Sequence, residues 1–348
     1  MQKSRQNKIF IIAEAGVNHN GKMGLALELI EAAVNAGADA VKFQTFKSEL
    51  IANMSTERAR YQKENIPDRI ETQFEMIQRL ELSYASFAEL KRYCDQRKIL
   101  FLTSTGEIPS TKKILNLVPL FKIGSADITN IPFLEYLASQ NKPIILSTGM
   151  SRLGEIENAV EILSRSRPKP GSSFPPLTLL HCTTNYPCPF DEVNLKAIVT
   201  LQAAFRLPVG YSDHTLGIEV PIAAAALGAQ VIEKHFTLDR NLPGPDHKAS
   251  LEPDELRAMV RAIRHIEVAL GDGDKRPNKS EEKIMKVSRK SIVARYPIKA
   301  GTAISRKMIV VKRPGTGIPP GQLKDIIGMN IRRDKKADDV FEWKDFHN

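Results

Sequence analysis

The chain has 348 residues and a formal net charge of +10, with 42% hydrophobic and 26% charged residues. This composition is that of an ordinary globular protein. No apolar run approaches the roughly 20 residues that cross a bilayer, which excludes an integral membrane protein. The apolar run at 9–13 is too short for a secretory signal, and the three cysteines indicate neither a disulfide framework nor a cysteine metal site. We therefore expect a cytoplasmic protein without membrane contact.

The positive charge is concentrated near the C-terminus. Residues 271–348 contain 19 Lys/Arg and 10 Asp/Glu, whereas residues 1–270 contain 31 and 30. Such a basic segment can bind nucleic acid, an anionic surface or a small acidic ligand. The segment has few aromatic residues and no long Lys/Arg run, which favours a small anion. A nucleic-acid-binding protein remains the non-enzymatic alternative.

Short apolar segments alternate with segments of helical spacing along most of the chain. Eight strand candidates begin near residues 8, 39, 99, 119, 142, 177, 207 and 229, and each precedes a helical segment. The last of these helical segments is 252–271. Eight alternating units predict a (β/α)8 TIM barrel. An open doubly wound sheet is the alternative, but the turn after the first strand lacks a Gly-rich phosphate fingerprint.

Two segments fall outside this alternation. Residues 47–70 are polar, contain Pro67 and are predicted to form an irregular loop, which in a compact domain is usually functional or mobile. After the catalytic barrel at 1–271 we expect a polar linker at 272–289. Residues 290–348 alternate short β runs with Gly/Pro turns and predict a small β-rich domain, near the lower size limit for independent folding.

Polar residues stand at the predicted C-terminal end of nearly every strand, where barrel enzymes place their active sites. The set includes Glu14, Lys42, Gln44, Thr105, Lys122, Ser125, Asp127, Ser147, Thr184, Ser212, His214, Glu233 and His235. A polar residue at the end of a single strand usually only contacts solvent. Polar residues at the ends of eight strands around one rim instead indicate a bound ligand.

Two histidines on neighbouring predicted strands suggest a metal site. His214 and His235 each follow a short apolar run, and an Ala-rich helical segment ending at Gly228 separates them. Adjacent parallel strands would bring both imidazoles to the same edge, where they suit a divalent metal. The alternative is two unrelated histidines that each cap a loop.

Two lysines on the same rim indicate an anionic ligand. Burying the Lys42 and Lys122 ammonium groups without counter-charge is costly, so a phosphate or carboxylate ligand is implied. Nearby hydroxyls suit phosphate oxygens, although each single serine could equally cap a turn or helix. Glu14 and Asp127 could orient a substrate or transfer a proton. These residues predict a metal-assisted enzyme that acts on a phosphorylated, carboxylated small molecule and a carbonyl partner.

Longer motifs extend over essentially the whole chain. They are IIAEAGVNHNG, ADAVKFQT, FKIGSAD, PIILSTGM, HCTTNYP, GYSDHT, VIEKHFT and GPDH, followed by AGTAIS and VKRPGTGI. Together they resemble the sialic acid synthase family, whose members condense phosphoenolpyruvate (PEP) with an N-acetylated mannose-type sugar to a nine-carbon 2-keto acid. The C-terminal motifs resemble the antifreeze-like (SAF) domain of that family.

The resemblance implies a role for each matching residue. His214 and His235 would hold a divalent metal, typically Mn²⁺, with Mg²⁺ or Co²⁺ as alternatives. PEP would be held by Lys42, Thr105, Lys122, Ser125, Ser147 and Ser212. The acceptor sugar would be contacted by Glu14, Gln44, Asp127, Tyr186 and Asp246, and Thr184 would also bind substrate. The catalytic residues would be Glu14, His214, His235 and Asp246. The family implies a domain-swapped homodimer, in which Arg313 of the partner chain would reach the N-acetyl group.

Residues 65–80, which the resemblance implies border the acceptor, differ from the sialic acid type and look more like legionaminic acid synthases. This likeness implies 2,4-diacetamido-2,4,6-trideoxymannose as the acceptor, with N-acetylmannosamine as the alternative. A related PEP-dependent sugar-phosphate synthase, or a Schiff-base aldolase with Lys42 or Lys122 as the nucleophile, is the rival enzyme class.

Overall fold

The computed structural model describes residues 8–66 and 69–346. Pro67 and Asp68, which belong to the predicted irregular segment, lie outside the described residues. The chain divides into two compact units, Met1–Asp272 and Gly273–Asn348. No helix in the described part of the chain is long and apolar enough to span a membrane.

The first unit is a closed barrel of eight parallel strands, which confirms the predicted fold. The strands follow one another around the barrel, and the last pairs with the first. They are β1 (Phe10–Gly16), β2 (Ala40–Gln44), β3 (Leu100–Ser104), β4 (Phe121–Ile123), β5 (Ile144–Ser147), β6 (Leu177–His181), β7 (Val209–Asp213) and β8 (Val231–His235). All eight coincide with predicted strand candidates.

Helices surround the barrel in the order that the alternation predicts. They are α1 (Met23–Ala36), α2 (Ser48–Ile51), α3 (Arg60–Asn65), α4 (Gln73–Arg79), α5 (Tyr84–Arg97), α6 (Ile108–Ile114), α7 (Ile131–Ser139), α8 (Leu153–Leu163), α9 (Lys196–Phe205), α10 (Glu219–Ala226) and α11 (Pro253–Ala269). The stop predicted after the first helix is confirmed at Gly37, whose φ of 80° is favourable for glycine.

The segment 47–70 differs from the irregular loop that its composition predicts, because it contains α2 and α3. The start of α2 is held by Glu81, whose carboxylate accepts from the backbone N and the hydroxyl of Ser48, each at 2.6 Å. Lys47 donates to the other carboxylate oxygen at 2.7 Å. A partner distant in sequence therefore satisfies the free N–H at this helix terminus, which no local pattern reveals.

Alternation along the strands produces two apolar layers. Residues such as Ile11, Val209 and Ile232 pack between the strands and the surrounding helices. Residues of the opposite parity, such as Ile12 and Leu180, form a smaller cluster inside the barrel. Part of the barrel interior is therefore filled by apolar side chains.

The second unit has its own small core. It contains α12 (Lys279–Ser288), the antiparallel pair β9 (Ser291–Ala294) and β10 (Ile309–Lys312), and α13 (Leu323–Ile326). Its core includes Ile292, Ile309, Ile331, Phe341 and Phe346. The segment expected to be a polar linker, 272–289, contains the helix α12. Glu281 accepts from the backbone N of Asn278 at 2.8 Å, which stabilises the start of this helix.

Candidate active site

A cavity of about 580 Å³ opens among residues at the C-terminal ends of the barrel strands. Thirteen of the fifteen site residues predicted from the sequence line it: Glu14, Lys42, Gln44, Thr105, Lys122, Ser125, Asp127, Ser147, Thr184, Tyr186, Ser212, His214 and His235. Parallel strands that close into a barrel present their ends on one rim, which is why residues from all parts of the chain meet here.

Two predicted site residues do not line the cavity. Asp246 is buried beside it, with a carboxylate oxygen 3.9 Å from Nδ1 of His235. Arg313 belongs to the second unit, where it is exposed and its Nε donates to the carbonyl of Ser288 at 3.1 Å. The contact expected between Arg313 and an acceptor stays a prediction.

The two predicted lysines belong to a buried lysine–glutamate cluster formed by Glu14, Lys42, Lys122 and Glu233. Lys42 Nζ lies 2.8 Å from Glu14 and 3.7 Å from Glu233, and Lys122 Nζ lies 3.3 Å from Glu233. The premise that the lysines are buried without counter-charge is therefore wrong. Barrel closure is the reason, because it places β8, which carries Glu233, beside β1 and near β2.

The two glutamates have opposite pKa shifts. Burial raises the pKa of Glu14 to about 7, although Lys42 opposes this shift. Burial acts in the same direction on Glu233, but Lys122 and Lys42 outweigh it and lower the pKa of Glu233 to about 2. At neutral pH the cluster therefore holds two cations, one full carboxylate and one carboxyl group that is partly protonated. This balance leaves a positive excess that suits an anion.

Hydroxyl groups surround the lysine–glutamate cluster. Lys122 Nζ donates to Ser147 Oγ at 2.8 Å, and Ser212 Oγ donates to Glu233 at 2.9 Å. Ser125 Oγ accepts from the backbone N of Gly149 at 3.0 Å. The buried hydroxyl of Thr105 lies 2.6 Å from that of Thr111. Cations and hydroxyls that line one cavity are usual elements of a phosphate-binding site.

Position 149 requires glycine because the backbone there lies very close to neighbouring side chains. A Cβ at this position would lie 2.5 Å from Thr184 Oγ1, 2.9 Å from Ser125 Oγ and 3.0 Å from Cys182 Sγ. These distances are shorter than van der Waals contact. Glycine therefore allows the backbone to approach the hydroxyls that line the cavity.

The two predicted metal ligands lie next to each other, with ring centroids 5.5 Å apart. His214 Nδ1 lies 2.6 Å from the carbonyl of Thr183, a contact that assigns the proton to Nδ1 and leaves Nε2 free to bind a metal. His235 Nδ1 is buried and has no hydrogen-bond partner. Burial lowers the pKa of His214 to about 4 and that of His235 well below its usual value. Both rings are therefore neutral at pH 7, the form that binds metal.

Two neutral imidazoles fit a divalent metal only if its remaining ligands come from elsewhere. Among residues 8–66 and 69–346, no group of three or more His, Cys, Asp and Glu side chains could hold a metal by itself. Two imidazoles would leave the other positions to water or substrate, and catalytic metals keep such open positions.

An aromatic stack covers the histidine pair. The ring of Tyr186 lies 4.0 Å from that of His214, and the ring of Tyr61 lies 5.1 Å from that of Tyr186, measured between centroids. Tyr61 comes from α3, in the segment that is predicted to be irregular. The sequence offers no signal for its position, because the contact depends on how α3 folds over the rim.

An apolar wall on one side of the cavity is also absent from the sequence prediction. It consists of Phe46, Leu50, Ile51, Ala52 and Ile77. Leu50 and Ile51 are 47% and 40% exposed, which is unusual for large aliphatic side chains that line a cavity. The wall comes from loop and helix residues, so strand periodicity cannot reveal it.

A polar group lies next to this wall. Gln73 lines the cavity, as does Asn130, whose amide donates to Asp127 at 3.3 Å. Burial raises the pKa of Asp127 to about 6. Gln73 and Ile77 belong to the segment 65–80 that was expected to border the acceptor. A charged cluster, an apolar wall and a histidine pair thus line one cavity.

Family models match both parts of the chain. A model described as the NeuB family matches residues 29–275, and a SAF domain model matches residues 289–347. The chain is 47% identical to N,N'-diacetyllegionaminic acid synthase of Campylobacter jejuni, over 96% of this chain and 98% of that protein. The protein of the same name from Legionella pneumophila is 46% identical, over 96% and 94%.

More distant relatives agree with this result. Human N-acetylneuraminate-9-phosphate synthase is 35% identical over 96% of this chain and 92% of its own. The crystal structure of a sialic acid synthetase from Leptospira borgpetersenii, determined with citrate, superimposes with a TM-score of 0.69 at 36% identity. It covers 82% of this chain and 94% of that one. The chain therefore belongs to the NeuB family and carries a SAF domain after its barrel.

Proposed function

We propose that the protein is a nonulosonic acid synthase, which condenses PEP with an N-acetylated mannose-type sugar to a nine-carbon 2-keto acid and phosphate. One observation carries the proposal: a lysine-based anion site and a pair of neutral histidines share one cavity. The relatives that are 46–47% identical over nearly their full length are named as synthases of one such acid.

In this proposal PEP occupies the charged side of the cavity. Lys42 and Lys122 attract its phosphate and carboxylate groups. The hydroxyls of Ser125, Ser147, Thr105 and Ser212 complete the hydrogen bonds, and the backbone N–H of Gly149 holds the Ser125 hydroxyl in place. Glu233 stays ionised and keeps both lysines in place, while Glu14 becomes protonated as the anion enters. The sugar then lies between PEP and the apolar wall.

The chain's residues orient the two substrates for carbon–carbon bond formation. C3 of PEP attacks the open-chain aldehyde of the sugar, water adds at C2, and phosphate leaves by C–O cleavage. A divalent metal held by His214 and His235, with Mn²⁺ the first candidate and Mg²⁺ or Co²⁺ the alternatives, would polarise the aldehyde. Glu14, which is protonated when PEP is bound, donates its proton to the aldehyde oxygen as the carbon–carbon bond forms and then, as a carboxylate, accepts the proton of the attacking water. Fixing both substrates in one pocket is worth several kcal/mol, at most about 7–11.

The apolar wall favours 2,4-diacetamido-2,4,6-trideoxymannose over N-acetylmannosamine as the acceptor. The former has a methyl group at C6 and an acetamido methyl at C4, where N-acetylmannosamine has hydroxyl groups. Leu50 and Ile51 are exposed to the cavity and gain from covering methyl groups, whereas they offer no partner to a hydroxyl. Asp127, Gln44 and Asp246 would hold the remaining hydroxyl groups.

The second unit takes part through a domain-swapped homodimer in this proposal. Arg313 is exposed within its own unit, where Nε donates to Ser288, and the rest of its guanidinium could donate to another chain's acceptor sugar. The excess of basic residues at 271–348 would also favour an anionic substrate.

Product analysis tests the proposal. The protein is incubated with PEP, Mn²⁺ and one of three sugars: the trideoxy diacetamido sugar, N-acetylmannosamine or its 6-phosphate. We expect phosphate release and a nine-carbon product of the first sugar, identified by mass. Preference for the phosphorylated sugar would instead identify a sugar-phosphate synthase. A borohydride-trapped pyruvate adduct on Lys42 or Lys122 would overturn the condensation mechanism in favour of a Schiff-base aldolase.

A further inference from the structure

A second buried ion pair lies directly behind the two histidines. Lys234 Nζ donates to Asp213 Oδ2 at 2.6 Å, and both side chains are 0% exposed. Each residue immediately precedes one of the histidines. Neither lines the cavity, so a substrate in the cavity would not reach them.

Strand geometry explains this placement. Asp213 and Lys234 are directly paired across β7 and β8. Side chains alternate between the two faces of a strand, so these two point toward the surrounding helices while His214 and His235 point toward the cavity. The ion pair therefore crosslinks the two strands at the level from which both histidines project.

The pair is also tied to the chain on the far side of His214. Asp213 accepts from the backbone N of Thr215 at 3.0 Å, from the Thr215 hydroxyl at 2.9 Å and from the Tyr211 hydroxyl at 3.0 Å. Lys234 donates to the carbonyl of Thr215 as well. Residues on both sides of His214 are thus connected to the residue that precedes His235.

Stability does not by itself explain an ion pair at this depth. The other residues of this layer on the same strands are apolar or aromatic, such as Val209, Tyr211 and Ile232. Replacing a buried ion pair with well-packed apolar residues is often neutral or stabilising. The charges instead fix the relative orientation of the two strand ends, because an ion pair with several hydrogen bonds permits only one arrangement of them.

We propose that Asp213 and Lys234 are positioning residues that hold His214 and His235 at the separation and orientation required to bind one divalent metal. This inference rests on the metal site of the proposed function. Outer partners that orient metal ligands typically change metal affinity by about 10- to 100-fold when removed.

The test measures metal binding as well as activity. The double variant Asp213→Asn/Lys234→Met removes both charges, and its asparagine can still accept from Thr215. We expect the Kd for Mn²⁺, measured by calorimetry without substrates, to rise at least about tenfold. The visible spectrum of bound Co²⁺ should change, because it reports ligand geometry. The Kd for PEP measured without metal should stay within about twofold. If the double variant does not fold, Lys234→Met alone serves, since Asp213 keeps its hydrogen bonds from Thr215 and Tyr211.

A matched control separates positioning from general stability. Arg264→Met removes a partly buried ion pair with Asp39, which precedes β2 at the opposite end of the barrel. It should lower the Tm but leave the Mn²⁺ Kd and the Co²⁺ spectrum unchanged. An equal loss of metal affinity in Arg264→Met would mean that Asp213 and Lys234 act only through stability.

The outcomes are distinguishable. If the unaltered protein binds Mn²⁺ and the double variant binds it within twofold, with the same Co²⁺ spectrum, the positioning role is refuted while the proposed function stands. If the unaltered protein binds no Mn²⁺, both the positioning role and the proposed metal site fail.

Discussion

The ammonium group of Lys42 lies 2.8 Å from a carboxylate oxygen of Glu14 on the adjacent strand, and both side chains are buried. Glu233 lies on the other side of Lys42, so two acids compete for this cation. Burial raises the pKa of Glu14 to about 7, whereas the two lysines lower that of Glu233 to about 2. Glu14 is therefore the member of the cluster that responds to a nearby anion.

PEP binding should take up a proton through Glu14. At pH 8 most of the Glu14 carboxyl is ionised, and a bound anion raises its pKa further, so we expect uptake of up to about one proton. Affinity for PEP should then fall as the pH rises above 7, by at most about tenfold per pH unit. Calorimetric titration in two buffers with different ionisation enthalpies measures the uptake. The Glu14→Gln variant should show almost none, and equal uptake in both proteins would rule out Glu14 as the titrating group.

Removing Glu233 should destabilise the unliganded protein. Glu233→Gln deprives Lys122 of its carboxylate partner and Lys42 of one of two, and breaking such buried pairs costs on the order of 3 kcal/mol. We expect a Tm lower by roughly 5–10 °C. PEP should raise the Tm of the variant by more than it raises the Tm of the unaltered protein. Thermal unfolding with and without PEP measures both effects. Glu157→Gln, at an exposed position on α8, is the control. A Tm unchanged by Glu233→Gln would contradict the cluster's charge balance.

A methyl group at Gly149 should impair the PEP site without unfolding the barrel. In Gly149→Ala the new Cβ would lie 2.5 Å from Thr184 Oγ1 and displace the hydroxyls that surround it. We expect the KM for PEP to rise at least about tenfold, corresponding to about 1.4 kcal/mol. Gly154→Ala on α8 has no atom within 4 Å of its Cβ and should leave the kinetics unchanged. Equal KM values for the two variants would place PEP elsewhere.

Either histidine of the pair should be essential for metal binding and activity. His214→Ala and His235→Ala should each lose stoichiometric Mn²⁺ and nearly all condensation, while circular dichroism shows an intact barrel. Chelation should inactivate the unaltered protein, and Mn²⁺ should restore it. His265→Ala, at an exposed position on α11, serves as the control. Metal-independent activity in either cavity variant would disprove the ligand assignment.

Arg313 should act on the acceptor sugar of the partner chain. In Arg313→Ala we expect the KM for the sugar to rise at least about tenfold and the KM for PEP to stay within twofold, because a charged hydrogen-bond donor is lost only at the sugar. Lys312→Ala, whose side chain pairs with Asp338, is the neighbouring control.

Mixed dimers test whether Arg313 acts between chains. Coexpression of Arg313→Ala and His214→Ala chains should restore about a quarter of the activity measured at low sugar concentration, since half of randomly paired dimers are mixed and each has one intact site. No recovery in the mixture would show that Arg313 acts within its own chain.

Much of the site can be predicted because a barrel imposes a simple rule. Periodicity locates the eight strands, and parallel strands in a closed barrel bring their C-terminal ends to one rim. Polar residues at strand ends, such as Lys42, Lys122 and His214, therefore meet whatever the details of packing. The rule covers residues that project from strands and no others.

The parts that could not be predicted depend on contacts between distant segments. The apolar wall at Leu50 and Ile51 exists because Glu81 holds the start of α2, and Tyr61 reaches Tyr186 only because α3 lies over the rim. These contacts join residues that share no periodic pattern.

The barrel, the order of its strands and the types of side chain on its rim follow from the amino-acid sequence alone, because periodicity and residue identity are properties of the chain. Which charges neutralise one another depends instead on how the chain folds. Glu233 lies against both lysines because the last strand closes onto the first, and Lys234 meets Asp213 because strand register pairs them. Electrostatic energies depend on distance and burial, which exist only once the chain has folded.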